Sequence, residues 1–229
     1  MEPTLPEARL QARGLIVELR GDGDAVRVLD GVSISVAPHE IVDVAGASGA
    51  GKSTLLRALT RLLPIANGEL FLDGRPAEDV PPPEWRAAVA LLPQKPAMVA
   101  GDVRSNLLLP WTLKVRANHP APGEETLREG LDGLGLDAIS LDRDVARLSV
   151  GQQARVALLR VMLTEPAVLL LDEPDAALDT ASALAVMSGV RTFAGKGGSV
   201  VRVRHRETDG LASRRLDLAA GVLTEESPS

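Results

Sequence analysis

At 229 residues and 45% hydrophobic composition, the chain is long enough to bury a sizeable core and fits one domain or one domain with a subdomain. Its formal net charge of −6, from 25 Lys and Arg against 31 Asp and Glu, argues against a broad nucleic-acid surface, which needs a basic patch. Cysteine is absent, which excludes disulfides and thiolate metal sites, and with two Trp, two Phe and no Tyr the core must be built from Ala, Leu and Val.

The start, Met1 to Glu7, lacks the basic opening and apolar run of a signal peptide. No stretch of about 18 consecutive apolar residues occurs, so no segment is expected to span a bilayer. Leu10 to Leu19 and Val32 to Val36 read as antiparallel-type strands joined across Gly21-Asp22-Gly23-Asp24, a turn composition. Glu40 to Ala45 reads as a short strand, and Ser53 to Leu63 as a helix. Between them lies Gly46-Ala47-Ser48-Gly49-Ala50-Gly51-Lys52-Ser53-Thr54, which matches the phosphate-binding pattern G-x-x-x-x-G-K-[S/T] in the setting that the pattern requires.

The chemistry of that stretch follows from its residues. Glycines let successive backbone N–H groups turn toward an anion, and the N-terminus of the next helix adds its partial positive charge. Lys52 is placed to reach the β- and γ-phosphates and the Ser53 hydroxyl to ligate Mg²⁺, with Thr54 as a further phosphate contact.

Further along, Pro64 to Gly68 is a break, Glu69 to Leu72 with Asp73-Gly74 a strand and turn, and Pro81 to Arg86 a helix start. Val89 to Leu92 is a short apolar strand ending at Pro93-Gln94. From Gln94 to about Glu165 the pattern turns helical, with a polar break over Asn118 to Gly123. Val168 to Asp172 is an unbroken apolar run ending in an acid, as expected of a strand buried on both faces of a parallel sheet. Helix Thr180 to Phe193, strand Ser199 to Arg204 and the late strands Leu216 to Leu218 and Val222 to Leu223 complete an α/β order, and Glu225 to Ser229 reads as a frayed tail.

Hydrolysis of a bound nucleotide needs Mg²⁺ and a base aimed at water. Asp172 and Glu173, at the end of the buried strand, supply an Mg²⁺ ligand and that base. Alone, an acid in this place only caps a turn before Pro174. The phosphate loop upstream shifts the reading toward catalysis.

With Leu148-Ser149-Val150-Gly151-Gln152 before Asp172-Glu173-Pro174, Ala177-Leu178-Asp179 after it and His205 at the end of the next strand, the chain resembles the nucleotide-binding subunit of an ATP-binding cassette (ABC) transporter over nearly its whole length. The resemblance implies a P-loop NTPase core with a parallel sheet (residues 1–93 and 165–229), an antiparallel β subdomain and an inserted helical subdomain (94–164). It implies ATP and Mg²⁺ as cofactors and a separate transmembrane permease as partner. It also implies a homodimer formed on ATP binding, no nucleic acid, and a place on the cytoplasmic face of the membrane. Gln94 would touch Mg²⁺ or water and sense the membrane partner. Ser149, Gly151 and Gln152 would bind the γ-phosphate of ATP held by a second copy. Asp179 would lie at that interface and His205 would contact the γ-phosphate. Read without the resemblance, Gln94 is a solvated loop residue, Ser149 with Gln152 a helix capping box, and His205 a surface histidine.

Three features depart from the family. Val150 stands where glycine is usual, so this position must be helix-compatible. No aromatic residue for adenine stacking occurs in Leu15 to Ala25. The usual Thr-His-Asp is replaced by Arg204-His205-Arg206, with Arg202 in a strand that is normally apolar. Two readings of these arginines stand: cations acting on the nucleotide or on His205, or side chains pointing to solvent. Gly101 to Leu107 with Pro110-Trp111 further resembles a segment of two-component bacterial iron exporters, and Trp111 fits either a buried packing position or the groove for the membrane partner. Two alternatives remain, a soluble ABC-type ATPase of an assembly or regulatory complex such as iron–sulfur cluster assembly, and a P-loop kinase or GTPase. That class lacks a signature motif such as Leu148 to Gln152, and the guanine-reading Asn-Lys-x-Asp pattern of GTPases is absent.

Overall fold

The computed structural model describes residues 8–20, 25–176, 178–204 and 209–226. Two sheets form the frame. Strands β1 (Leu10–Arg20), β2 (Ala25–Val36), β4 (Asn67–Leu72) and β5 (Arg75–Pro76) make an antiparallel sheet of order β2-β1-β4-β5. Strands β3 (Ile41–Ala45), β6 (Val89–Leu92), β7 (Val168–Asp172), β8 (Ser199–Val203), β9 (Arg214–Ala219) and β10 (Val222–Glu225) make the second, of order β10-β9-β3-β8-β7-β6. It is parallel except where β10 pairs antiparallel with β9.

Every residue of β3, β7 and β8 is buried, which explains the unbroken apolar run of β7, while β3 and β8 each carry one buried charge, Asp43 and Arg202. Alternation then sends side chains to two cores. Val42, Val44, Val168, Leu170, Val201 and Val203 face helix α1 (Lys52–Leu59) and the antiparallel sheet. Ile41, Leu169, Leu171 and Val200 face the helices α3 (Val103–Leu108), α4 (Glu124–Gly133), α5 (Val150–Met162) and α6 (Thr180–Gly195). Helix α2 (Pro82–Ala88) buries Trp85 completely, and its indole N–H donates to Leu59 O at 2.9 Å, closing the end of α1.

Several boundaries differ from the sequence reading. Helix α1 stops at Leu59 rather than Leu63, because the Thr60 hydroxyl donates to Leu56 O and Arg57 O and Arg61 turns to φ 57°. Strand β2 begins at Ala25 rather than Val32. Its first half is a surface strand paired across Leu19↔Val26, so it lacks a buried period-2 signal. Residues 94–165 are only partly helical, with α3, α4, α5 and short 3-10 turns separated by loops, and with Asp102 bridged to Asp144. Glu225 is not part of a frayed tail. It ends β10 and accepts from Arg214 Nε at 2.9 Å.

Candidate functional site

The phosphate loop leaves β3 and enters α1 with the glycines in left-handed backbone. Gly46 sits at φ 138°, and a Cβ there would collide with the backbone carbonyl of Leu218 in β9. Gly51, the N-cap of α1, sits at φ 100° against Val28 of β2. Ala47, Ser48 and Gly49 are exposed, whereas Lys52 is 5% exposed. The Lys52 ammonium donates to Gly46 O at 2.7 Å and Ala47 O at 2.8 Å, two of its three N–H groups. Ser53 and Thr54, half-buried, open the helix beside it.

Asp172 ends β7 in the same sheet, is 8% exposed, and its Oδ1 has no hydrogen-bond partner among the described residues. A buried carboxylate oxygen without a donor is costly unless a cation covers it, so this atom fits a divalent metal ligand. Glu173 follows at φ 50°, a conformation that side-chain-bearing residues rarely adopt. Its amide donates to Val203 O at 3.1 Å, and its carboxylate Oε2 accepts from Gln94 Nε2 at 2.6 Å. That contact joins residues 79 apart in sequence and brings the loop after β6 onto the end of β7.

Ser149, Gly151 and Gln152 lie elsewhere, at the start of α5. The Ser149 hydroxyl accepts from Gln152 N at 3.2 Å and Gln152 Oε1 accepts from Ser149 N at 2.9 Å, the capping box that the spacing admits. Val150 is the first residue of α5 and 68% exposed, so the helix accommodates it. A Cβ on Gly151 would lie 3.3 Å from Ser182 Oγ, which sets the start of α5 against the start of α6. There Asp179 caps α6, accepting from Ser182 N at 2.8 Å and Ser182 Oγ at 3.0 Å. The Ser182 amide holds the Asp179 carboxyl below the ordinary carboxylate range, with help from the Ser182 hydroxyl. His205 lies outside the described residues.

Of the arginines around His205, Arg202 and Arg204 point neither to solvent nor into open space, and Arg206 lies outside the described residues. Arg202 is 2% and Arg204 7% exposed; Arg202 is engaged with Asp43 and Asp209, and Arg204 with Asp175 and Asp209. Burial alone favours the neutral guanidinium of Arg202, but hydrogen bonds from its N–H groups to Asp209 and Asp43 outweigh it and raise the pKa. Burial also works against the charge of Asp209, yet bonding to Arg202 and to the Leu211 amide holds its carboxyl below the ordinary range. Asp43 moves the other way, pushed up by burial more than Arg202 and Arg204 lower it. Asp43, Asp175 and Asp209 escaped the sequence reading. The findable signal was an acid inside the apolar run of β3 and a base at the matching position of β8.

Trp111 stands in a 3-10 turn over Leu109–Thr112, half-buried, with its N–H donated to Pro120 O at 3.0 Å and Arg116 over its ring at 5.6 Å. It packs locally across the polar break. No helix among the described residues is long and apolar enough to cross a membrane.

A family model described as "ABC transporter" matches residues 29–176. The hemin import ATP-binding protein HmuV of Nocardia farcinica is 40% identical over 211 residues, covering 89% of this chain and 72% of that protein. The Fe(3+) ions import ATP-binding protein FbpC of Streptomyces avermitilis is 36% identical over 206 residues, and the match spans 86% of this chain but 57% of that protein. Among solved structures, a bacterial Atm1-family ABC exporter with ATP bound superposes with a TM-score of 0.82 at 26% identity, over 97% of this chain and 40% of the exporter chain.

Proposed function

Because this chain belongs to the ABC transporter family and is an ABC-type ATPase, we propose that it powers a separate membrane-spanning partner by closing two copies head to tail around ATP and reopening them after hydrolysis. The observation that carries this reading is the Gln94–Glu173 hydrogen bond of 2.6 Å beside the unpartnered Asp172 oxygen, at the end of the sheet that also holds the phosphate loop. In this reading Glu173 is the base, Gln94 the amide that orients it, and Asp172 Oδ1 a metal-ligand oxygen beside them.

In this mechanism the loop amides of Gly46 to Gly51 and the N-terminus of α1 bind the phosphates, and Thr54 adds a hydroxyl. Lys52 already spends two N–H groups on Gly46 and Ala47, which stiffens its side chain and leaves a third for a phosphate oxygen. Mg²⁺, when bound, neutralises phosphate charge; Ser53, Asp172 and Gln94 are the residues that would hold it. Glu173 takes a proton from the attacking water at its carboxylate, and Gln94 keeps that carboxylate oriented. Ser149, Gly151 and Gln152 meet the γ-phosphate of ATP bound to the second copy. The Ser149 hydroxyl accepts in its capping bond, so its own proton remains to donate. Asp179 lies at the same interface, and His205 contacts the γ-phosphate. Residues 94–164 form the arm that transmits closure from Gln94 to the partner, and the complex works at the cytoplasmic face of the membrane.

The cargo reading rests on names and on a short motif. The two curated relatives are named for hemin and ferric ion, and the stretch Gly101 to Leu107 with Pro110-Trp111 is the one that resembles iron exporters. We therefore read the cargo as iron-bearing. Affinity copurification of Glu173→Gln from membranes with ATP·Mg²⁺ tests the role: one stoichiometric multi-span protein is expected, and recovery of a soluble scaffold alone would transfer the chain to an assembly complex. Reconstituting the recovered pair in vesicles with labelled hemin or ferric ion then reads cargo and direction.

A further inference from the structure

None of the steps above uses the buried charge network between β3, β8 and the turn that follows β7. In the parallel register Asp43 stands opposite Arg202, both on the sheet face that Ile41 and Val200 send toward α5 and α6. Arg202 donates to Asp43 through Nε at 2.7 Å and Nη2 at 2.9 Å, and to Asp209 through Nη1 at 3.0 Å and Nη2 at 3.1 Å. Arg204 donates through Nη2 to Asp175 at 3.0 Å, and its Nη1 lies 2.5 Å from Asp209 and 4.0 Å from Asp43. Asp209 also accepts from the Leu211 amide at 2.9 Å.

What the network joins is more informative than its charge. Asp43 is in the strand that feeds the phosphate loop, three residues before Gly46. Asp175 belongs to the turn that carries Glu173, a turn closed by Ala176 N to Glu173 O at 3.3 Å and Leu178 N to Asp175 O at 3.3 Å. Arg204 and Asp209 bracket His205 in sequence and are held together. Replacing a buried ion network with apolar groups is often neutral or stabilising, so retention of such a network is poorly explained by stability. Positioning explains it better. Glu173 is kept at φ 50°, and a backbone in that region persists only where its surroundings hold it. Two residues on, the buried Asp175 carboxylate ties this turn to Arg204, directly after β8.

We propose that Asp175 and Arg204 are a positioning pair for hydrolysis, fixing the turn that aims the Glu173 carboxylate against the end of β8, which lies beside the strand that leads to the phosphate loop, without touching the nucleotide. The inference rests on the reading of Glu173 as the base. It separates binding from turnover. The phosphate loop keeps its own backbone and its own lysine contacts, so nucleotide affinity is expected to stay while the chemical step slows.

The test uses the full chain, with ATP·Mg²⁺ turnover, ADP·Mg²⁺ affinity and the melting midpoint measured for each variant. Asp175→Asn, which keeps shape and removes charge, is expected to lose about tenfold or more in turnover, as a misaimed catalytic group does, while ADP affinity stays within about twofold. Arg204→Met should fall as far. Arg204→Lys, which keeps charge but loses the fork, should recover part of the rate, and the double variant Asp175→Asn/Arg204→Met should fall no further than the worse single. Turnover near the parent rate in Asp175→Asn would overturn the proposal. So would losses of turnover, ADP affinity and melting midpoint in proportion, which would reduce the pair to a fold contact. If Arg204→Met does not fold, Asp175→Asn and Arg204→Lys decide alone. Glu173→Gln in the same assay keeps the two ideas apart: full activity there overturns the base assignment, whereas an inactive Glu173→Gln beside an active Asp175→Asn overturns only the pair.

Discussion

Two helix N-termini in this molecule offer backbone N–H groups to an anion, and they are equipped very differently. The start of α1 is walled by β2 and β9, holds a buried lysine, and stands at the end of the sheet where Asp172, Glu173 and Gln94 gather. The start of α5 is exposed at Ser149 and Val150, and its side-chain bonds run between Ser149 and Gln152. In the proposed mechanism the first is a complete site and the second, where the described residues bring no lysine and no unpartnered acid, a half-site that a second copy completes.

Substitutions on the two sides sharpen or break this contrast. Lys52→Ala removes a charged donor from the complete site and should cost about 1.5–3 kcal/mol of nucleotide binding, roughly ten- to hundredfold in an ADP·Mg²⁺ titration of the isolated chain. Ser149→Ala should leave that titration unchanged yet lower turnover by about tenfold or more, as loss of a phosphate donor does. It should also remove about 0.5–2 kcal/mol of stability through the lost helix cap. An equal loss of ADP affinity in both variants would erase the distinction between a complete site and a half-site.

The smallest effect is expected at Asp179. Its folded pKa is lowered, so its contribution to stability is present above the unfolded carboxylate value of about 3.9 and disappears as pH falls through the lower folded value. Asp179→Ala should therefore lower the urea midpoint at neutral pH, and the gap to the parent should close in acid. A gap that stays constant down to acid pH would show that the cap acts through its shape and not through its charge.

How much of this was legible beforehand depended on sequence distance. The strand, glycine loop and helix around Lys52 are contiguous, and so are the capping box at Ser149 and the apolar run ending at Asp172. Their chemistry follows from neighbours a few residues apart. The end of α1 differs from the sequence reading because the Thr60 hydroxyl and Arg61 backbone, both weak local signals, turn the chain out of the helix four residues early. The arginines near His205 admit two readings in sequence, and the burial of Arg202 and Arg204 against aspartates removes the solvent-facing one. A cation in a strand looks like a surface residue until the partner strand is known.

By itself the sequence determined the order of motifs, the α/β alternation and the identity of the phosphate loop, because each depends on backbone freedom and periodicity within a short window. Only the tertiary structure decided that Gln94 donates to Glu173 across 79 residues, that Glu225 pairs with Arg214, and that Arg202 and Arg204 are buried against three aspartates. Those facts rest on strand register and burial, which set both the partner of a charge and the strength of their attraction.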